Sequence, residues 1–279
     1  HFAYLACVHA SLFVREFCSA MVVSVLGSLR VRDAQRASIK FVLGTHLTGR
    51  CFTSKHPKRR APQPMFFYVC LTPLQVGVPE DRARWWEPLS AIPTGTDHLF
   101  RRLSIPRGQN IGGPSVSRVA GPMSSSLVIK CMRVVLMMPP LSLTEAQARS
   151  FSGHSGRHLL ATLARLLQAY TPEERNELAR WAAGSVPGDH SKRGALNLRY
   201  SQEVDEPVVL DILTRILRHI RALVDEFGGW QTLPATWEPI ASRKEAILEA
   251  ADKVLEGEPS SSESDDDDEL PSEVPLLEE

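Results

Sequence analysis

Apolar and polar positions fall into blocks of different periodicity along the chain. Residues 2 to 27 are apolar on nearly every side, with His9 and Arg15-Glu16 as interruptions, which predicts a buried helix or a pair of them. Those interruptions, and the lack of a basic stretch leading into a clean apolar run with a cleavage site, argue against a membrane span or a signal peptide. After Gly27, SLRVRDAQRASIKFVL predicts a short helix capped by Asp33 and then a β-like run from Ile39 to Leu43. GRCFTSKHPKRRAPQPMFFYVCL holds two apolar runs separated by a basic, proline-containing turn, the pattern of a hairpin with a long loop.

Residues 73 to 125 are rich in Pro, Gly and Ser, include Trp85 and Trp86, and carry one helix-like stretch at DHLFRRLSI. An apolar run resumes from Leu127 to Leu136, and Thr144 with EAQARSF starts a helix through a cap-like step. In TPEERNELARWAAG, Thr171 is the N-cap, Pro172 occupies the first helical position, and Glu173 and Glu174 fill the first turn. A Gly-, Ser- and Pro-containing loop covers 184 to 194. Val209, Ile212, Leu213, Ile216, Leu217, Ile220 and Leu223 then share one helical face, and a further helix is expected near 241 to 255. No internal repeat is found. The pattern predicts a mixed α+β, mainly α-helical fold with a small antiparallel sheet or hairpin.

At 279 residues and 43% hydrophobic content the chain suits one large core or two modest ones. It opens on His1, which leads us to expect a fragment, a processed form or an imperfect gene model, with elements upstream missing. The net charge of zero conceals an asymmetry. Glu256 to Glu279 hold eleven acidic residues and no Lys or Arg, so residues 1–255 carry 32 basic against 21 acidic residues, a net of +11. A basic body attracts polyanions, nucleic acid first among them, or else is a solvated surface without a partner. The tail cannot bury enough apolar surface to order itself, and we expect it to be disordered. It masks the basic surface, serves as an arm for a partner, or only solubilises. Five cysteines, Cys7, Cys18, Cys51, Cys70 and Cys131, form an odd set without a CxxC pair, which speaks against a disulfide framework or zinc ribbon and for a reducing compartment.

The stretch FSGHSGRHLLATLARLLQAY, residues 151–170, opens an apolar helical pattern with His154, Arg157 and His158. Arg157 offers a planar fork of donors that matches two phosphate oxygens and stays charged at any relevant pH. The imidazoles stand beside it, and exposed N–H groups at a helix start favour an anion too. A zinc site using His154, His158 and His190 is disfavoured: Ser155 and Gly156 stand where a metalloprotease motif needs its Glu, and an arginine between ligands repels the cation. In a purely structural alternative, Arg157 pairs with a carboxylate and the histidines cap the helix.

His154-x-x-Arg157, Trp181 twenty-four residues after Arg157, and Tyr200 in LNLRYSQE together resemble the C-terminal half of the tyrosine recombinase (phage integrase-like) catalytic domain, in the version carried by Crypton-type mobile elements. The family pattern has an earlier arginine in a G-x-R-x-x-[ED] context, matched by Arg30 with Asp33, and a hairpin lysine about two dozen residues on, matched by Lys55. The resemblance spans roughly residues 20 to 203. It departs from the family in a Trp181-to-Tyr200 interval about ten residues longer than in bacterial members, and in lacking the separate N-terminal DNA-clamping domain. His190 competes with Trp181, Lys58 with Lys55, and Arg32 with Arg30.

The resemblance implies that Tyr200 attacks a DNA phosphodiester to form a 3′-phosphotyrosyl intermediate. Arg30 and Arg157 would clamp the non-bridging oxygens, Lys55 would protonate the leaving 5′ oxygen, His154 would assist proton transfer, and Trp181 would orient the phosphate. Arg32, Lys58, Arg59, Arg60 and His158 are expected DNA-binding or supporting residues. No metal or other cofactor is implied, because two guanidiniums supply the charge a divalent ion otherwise would. The partners expected are double-stranded DNA and further copies of the chain on that DNA, with no membrane. The location would be the nucleus in a eukaryote and the cytoplasm otherwise. The domain reading is a recombinase-like catalytic domain over 1–230 with an insert at about 73–125, a C-terminal helix over 231–255, and the acidic tail over 256–279. A catalytically inactive DNA-binding remnant of a mobile element, and a type IB topoisomerase-like nicking-closing enzyme, are the alternatives.

Overall fold

A computed structural model describes residues 1–42, 44–52, 64–74, 76–90, 98–153, 155–179 and 206–257. The fold is mixed α+β and mainly helical, with a three-stranded and a two-stranded antiparallel sheet among the described residues. The apolar N-terminal stretch forms two helices, α1 (Phe2–Val8) and α2 (Leu12–Leu26). The chain breaks between them where the Ser11 N–H donates to His9 Nδ1 at 3.0 Å. Helix α2 is buried nearly all round, as its lack of a polar face requires. Its one buried carboxylate, Glu16, receives Arg101 Nε at 2.7 Å and Arg118 Nη2 at 2.5 Å.

Helix α2 ends at Gly27 and Ser28, the latter at φ 48°, and a one-turn helix α3 (Val31–Ala34) follows. Asp33 is not its cap, as the sequence suggested. Arg30 holds the cap position, and Asp33 lies within the helix, buried. Strands β1 (Ser38–Val42), β2 (His46–Phe52) and β3 (Pro64–Cys70) form a sheet in that order, and β2 packs against α3. The predicted long-looped hairpin is the β2–β3 pair. Gly49 is required opposite Phe67, whose buried ring fills the space a Cβ would take.

The stretch from 73 to 125 contributes Trp85, Leu99, Phe100 and Ile111 to the core. It contains the short helix α4 (Glu87–Ser90) and the hairpin β4 (Arg101–Ser104) with β5 (Ser117–Pro122). The helix expected at DHLFRRLSI is therefore strand β4. Arg101 and Leu103 face inward while Arg102 and Ser104 face water, an alternation fixed by the Arg101–Glu16 ion pair.

The apolar run at 127–136 becomes α5 (Ser125–Leu136), capped by Ser124, whose side chain accepts the Leu127 N–H. Next come α6 (Glu145–Ser150), with the Thr144–Gln147 capping box, then α7 (Leu159–Leu167) and α8 (Pro172–Ala179). The Thr171 side chain accepts the Glu174 N–H at 3.2 Å, as a cap there requires. Helix α9 (Glu206–Glu226) buries Ile212, Leu213, Ile216, Leu217 and Leu223 of the predicted face and packs on β3, α8 and the last helix. The single helix expected near 241–255 is two, α10 (Glu238–Ser242) and α11 (Lys244–Gly257), both packed on α7. Residues 258–279 lie outside the described residues. No helix among the described residues is long and apolar enough to cross a membrane.

Candidate functional site

Of the residues singled out from sequence, Arg30, Arg32, Arg157 and His158 are described. Lys55, Lys58, Arg59, Arg60, His154, Trp181, His190 and Tyr200 lie outside the described residues. The four described residues belong to two segments that meet at the joint between α2 and α3.

The first segment is the joint itself, running from Val25 through Ser28 and Arg30 to Val31. The second is the turn before α7, in which the Ser152 N–H donates to Ser155 Oγ at 2.9 Å and a 3-10 turn covers Gly156–His158. Two glycines let the second lie on the first. A Cβ at Gly153 would stand 3.0 Å from Val31 Cγ2, and one at Gly156 would stand 2.9 Å from Val25 Cγ2. Neither distance accommodates a methyl group without movement. The glycines flanking position 154 are thus docking residues, and the valines they dock on bracket Arg30.

Docking brings Arg157 within electrostatic range of Arg30, 127 residues away in the chain. Burial pushes the Arg157 guanidinium below its ordinary pKa, the Arg30 charge pushes it further down, and Asp33 opposes both with a smaller effect. Two like charges therefore act on one another at a half-buried place that the Asp33 carboxylate also reaches. Such an arrangement gains stability from an anion, and two guanidinium forks suit the oxygens of a phosphate. Asp33 is a carboxylate of the kind the structural alternative requires. His158 sits at the N-cap of α7, exposed, and its side chain makes no cap hydrogen bond. Arg32 is exposed on α3.

Three supports of this joint were not foreseen from sequence. Arg133 on α5 donates from Nε and Nη2 to the Phe151 carbonyl at 3.4 and 3.2 Å, and from Nη2 to the Arg149 carbonyl at 3.2 Å, which braces the chain just before the glycine turn. Ser28 Oγ donates to the Leu178 carbonyl, tying the last turn of α8 to a point two residues before Arg30. Strand β2, which leads into the basic segment 53–63, packs against α3. None of these has a local sequence signature, because each joins residues more than a dozen positions apart.

Comparison of the chain with protein-family models, with curated proteins and with solved structures finds no match in any of the three.

Proposed function

We propose that the chain is a DNA breaking-rejoining enzyme of the tyrosine recombinase kind, acting through a 3′-phosphotyrosyl intermediate. The observation that carries this reading is the docking of the Gly156–His158 turn on the α2–α3 joint, which brings the Arg157 guanidinium within electrostatic range of Arg30. An anion bound there would interact favourably with both guanidiniums. Three further observations support the same reading: the strand leading to Lys55 packs against the helix that Arg30 caps, Gly153 packs against Val31 next to Arg30, and the helix preceding Trp181 is tied to Ser28.

In this mechanism the Tyr200 oxygen attacks phosphorus as the bond to the 5′ oxygen breaks. The Tyr200 proton leaves with help from His154, and Lys55 delivers a proton to the departing 5′ oxygen, which leaves as a hydroxyl. A free phenol has a pKa near 10, so ionising it at pH 7 costs about 4 kcal/mol. Guanidiniums aimed at the charge developing on the non-bridging oxygens are worth ~3 kcal/mol each, enough to offset that cost. The ester to tyrosine retains the energy of the broken bond, so a second 5′ hydroxyl rejoins the strand without ATP.

The test is a suicide DNA substrate, whose cleaved strand loses the end needed for rejoining. A covalent protein–DNA adduct that disappears in Tyr200→Phe is the expected result. Binding without an adduct means a DNA-binding remnant, and relaxation of supercoiled DNA of any sequence means a nicking-closing topoisomerase.

A further inference from the structure

The charge of the body is divided unevenly along the chain. Residues 1–172 carry 21 Lys and Arg against seven Asp and Glu, whereas residues 173–255 carry 11 against 14. Between 98 and 172 the one acidic residue is Glu145, beside nine Lys and Arg, and it pairs with Arg149 at 2.6 Å. Cations gather around the α2–α3 joint. The turn carrying Arg157 docks on the segment carrying Arg30, Arg32 and Arg36 are exposed on α3 and just beyond it, and Lys130 is exposed on α5, which packs on α3 and has no acidic residue.

Residues 258–279 are the chemical complement of that face. These 22 residues hold ten Asp and Glu and no Lys or Arg, and five carboxylates are consecutive from Asp265 to Glu269. They follow α11, which itself carries four acidic residues against two lysines, so its charge does not favour the tail as the joint's does. Twenty-two residues can span up to ~70 Å. A folded body of this size has a radius of gyration of only ~18 Å, so the joint lies within the reach of the tether. Tethering also supplies an effective concentration on the order of millimolar, which makes even a weak ionic contact populated.

We propose that residues 258–279 dock on the cationic face of their own chain, the Asp265–Glu269 run taking the path a nucleic-acid backbone would take past Arg30, Arg32, Arg157 and Lys130. The inference rests on the charge of that face and is independent of whether Tyr200 is a nucleophile. Its consequence is competition: a polyanion reaches the joint only by displacing the tail, so the tail sets a threshold of affinity below which nucleic acid is refused.

Zero-length carbodiimide coupling of the full chain, read by peptide mass spectrometry, tests the contact directly. Links from Asp265–Glu269 to Lys130 are expected, and raising the salt to about 0.5 M should abolish them by screening. Links confined to Lys244 and Lys253 of α11, or none at all, overturn the proposal. A second measurement compares the full chain with a full-length variant carrying Asp265–Asp268→Asn and Glu269→Gln. The variant should bind a short duplex of arbitrary sequence at least tenfold more tightly at low salt. Equal affinity for duplex overturns tail docking and leaves the DNA reading intact. Cross-links to Lys130 without duplex binding by either protein leave docking in force and remove the DNA reading instead.

Discussion

Gly156 and Val25 meet with no room between them for a methyl group: a Cβ on residue 156 would lie 2.9 Å from Val25 Cγ2. Val25 is β-branched and cannot turn away at little cost. Gly156→Ala should therefore move the 3-10 turn and carry Arg157 off the joint, destabilising the fold by ~1–3 kcal/mol as overpacking does. Adding Val25→Ala removes the obstructing methyls. The double variant should be more stable than the two single losses predict, by about 1 kcal/mol, in urea unfolding. Simple additivity would mean that this contact does not fix the turn.

The Arg30–Arg157 pair predicts a separation of stability from binding. Arg30→Met removes like-charge repulsion, so in buffer free of multivalent anions its melting temperature should equal or exceed that of the wild type. Sulfate should stabilise the wild type, by about 1.4 kcal/mol at ten times the dissociation constant. It should do little for Arg30→Met or Arg157→Met. Thermal melts with and without sulfate decide the matter, and equal stabilisation of all three proteins would show that the anion binds elsewhere.

These relationships indicate how much of the molecule its sequence discloses. The capping box at Thr144, the Thr171–Pro172 helix start and the apolar face of α9 are local patterns, and all are present in the fold. The hairpin of β2 and β3 was legible for the same reason. The strand at 101–104 was not, because its inward positions are Arg101 and Leu103, and an arginine on a core face reads as polar until Glu16 is known to lie opposite. Within the site, Arg157 is legible from its residue type at the start of an apolar helical pattern, and Arg30 only through the family resemblance. The glycine-on-valine contacts that bring them together, the Arg133 brace and the Ser28–Leu178 tie join distant segments, and periodicity carries no information about such pairs.

Glu16 holds the β4–β5 hairpin to α2. Its carboxylate is buried and accepts from both Arg101, nearly buried, and Arg118, which also lies over the Phe13 ring with its guanidinium carbon 5.6 Å from the centroid. Removing one member of a buried ionic cluster strands its partners, and Glu16→Ala should destabilise by ~3–5 kcal/mol. Arg101→Met in the same chain removes the more deeply buried of the two stranded charges. That double variant should regain a large part of the loss in chemical denaturation. If Arg101→Met makes Glu16→Ala worse, the arginine supports the fold by its alkyl packing and not through its charge.

Tyr170 and His219 make the packing of α8, and of the residues leading into it, on α9 sensitive to acid. Tyr170 Oη and His219 Nδ1 are 2.6 Å apart and buried. Burial pushes the imidazole below its ordinary pKa, Asp252 works against that shift, and Arg215 and Arg218 reinforce it. Burial likewise pushes the Tyr170 phenol up, so it stays protonated throughout the acidic range. In the unfolded chain a histidine titrates near ~6.5, and in the folded protein His219 takes its proton only at lower pH. Above ~6.5 both states are neutral at this position and stability is complete. As pH falls through that value the unfolded state binds a proton that the folded state refuses, so stability declines by at most ~1.4 kcal/mol per pH unit until the folded pKa is reached. His219→Gln lowers stability at neutral pH but removes this titration, and its loss between pH 7.5 and 5.5 should be smaller than that of the wild type by about 1 kcal/mol. Urea unfolding at the two pH values measures the difference. The same drop in both proteins would assign the acid sensitivity to other groups and leave the Tyr170–His219 contact a packing feature alone.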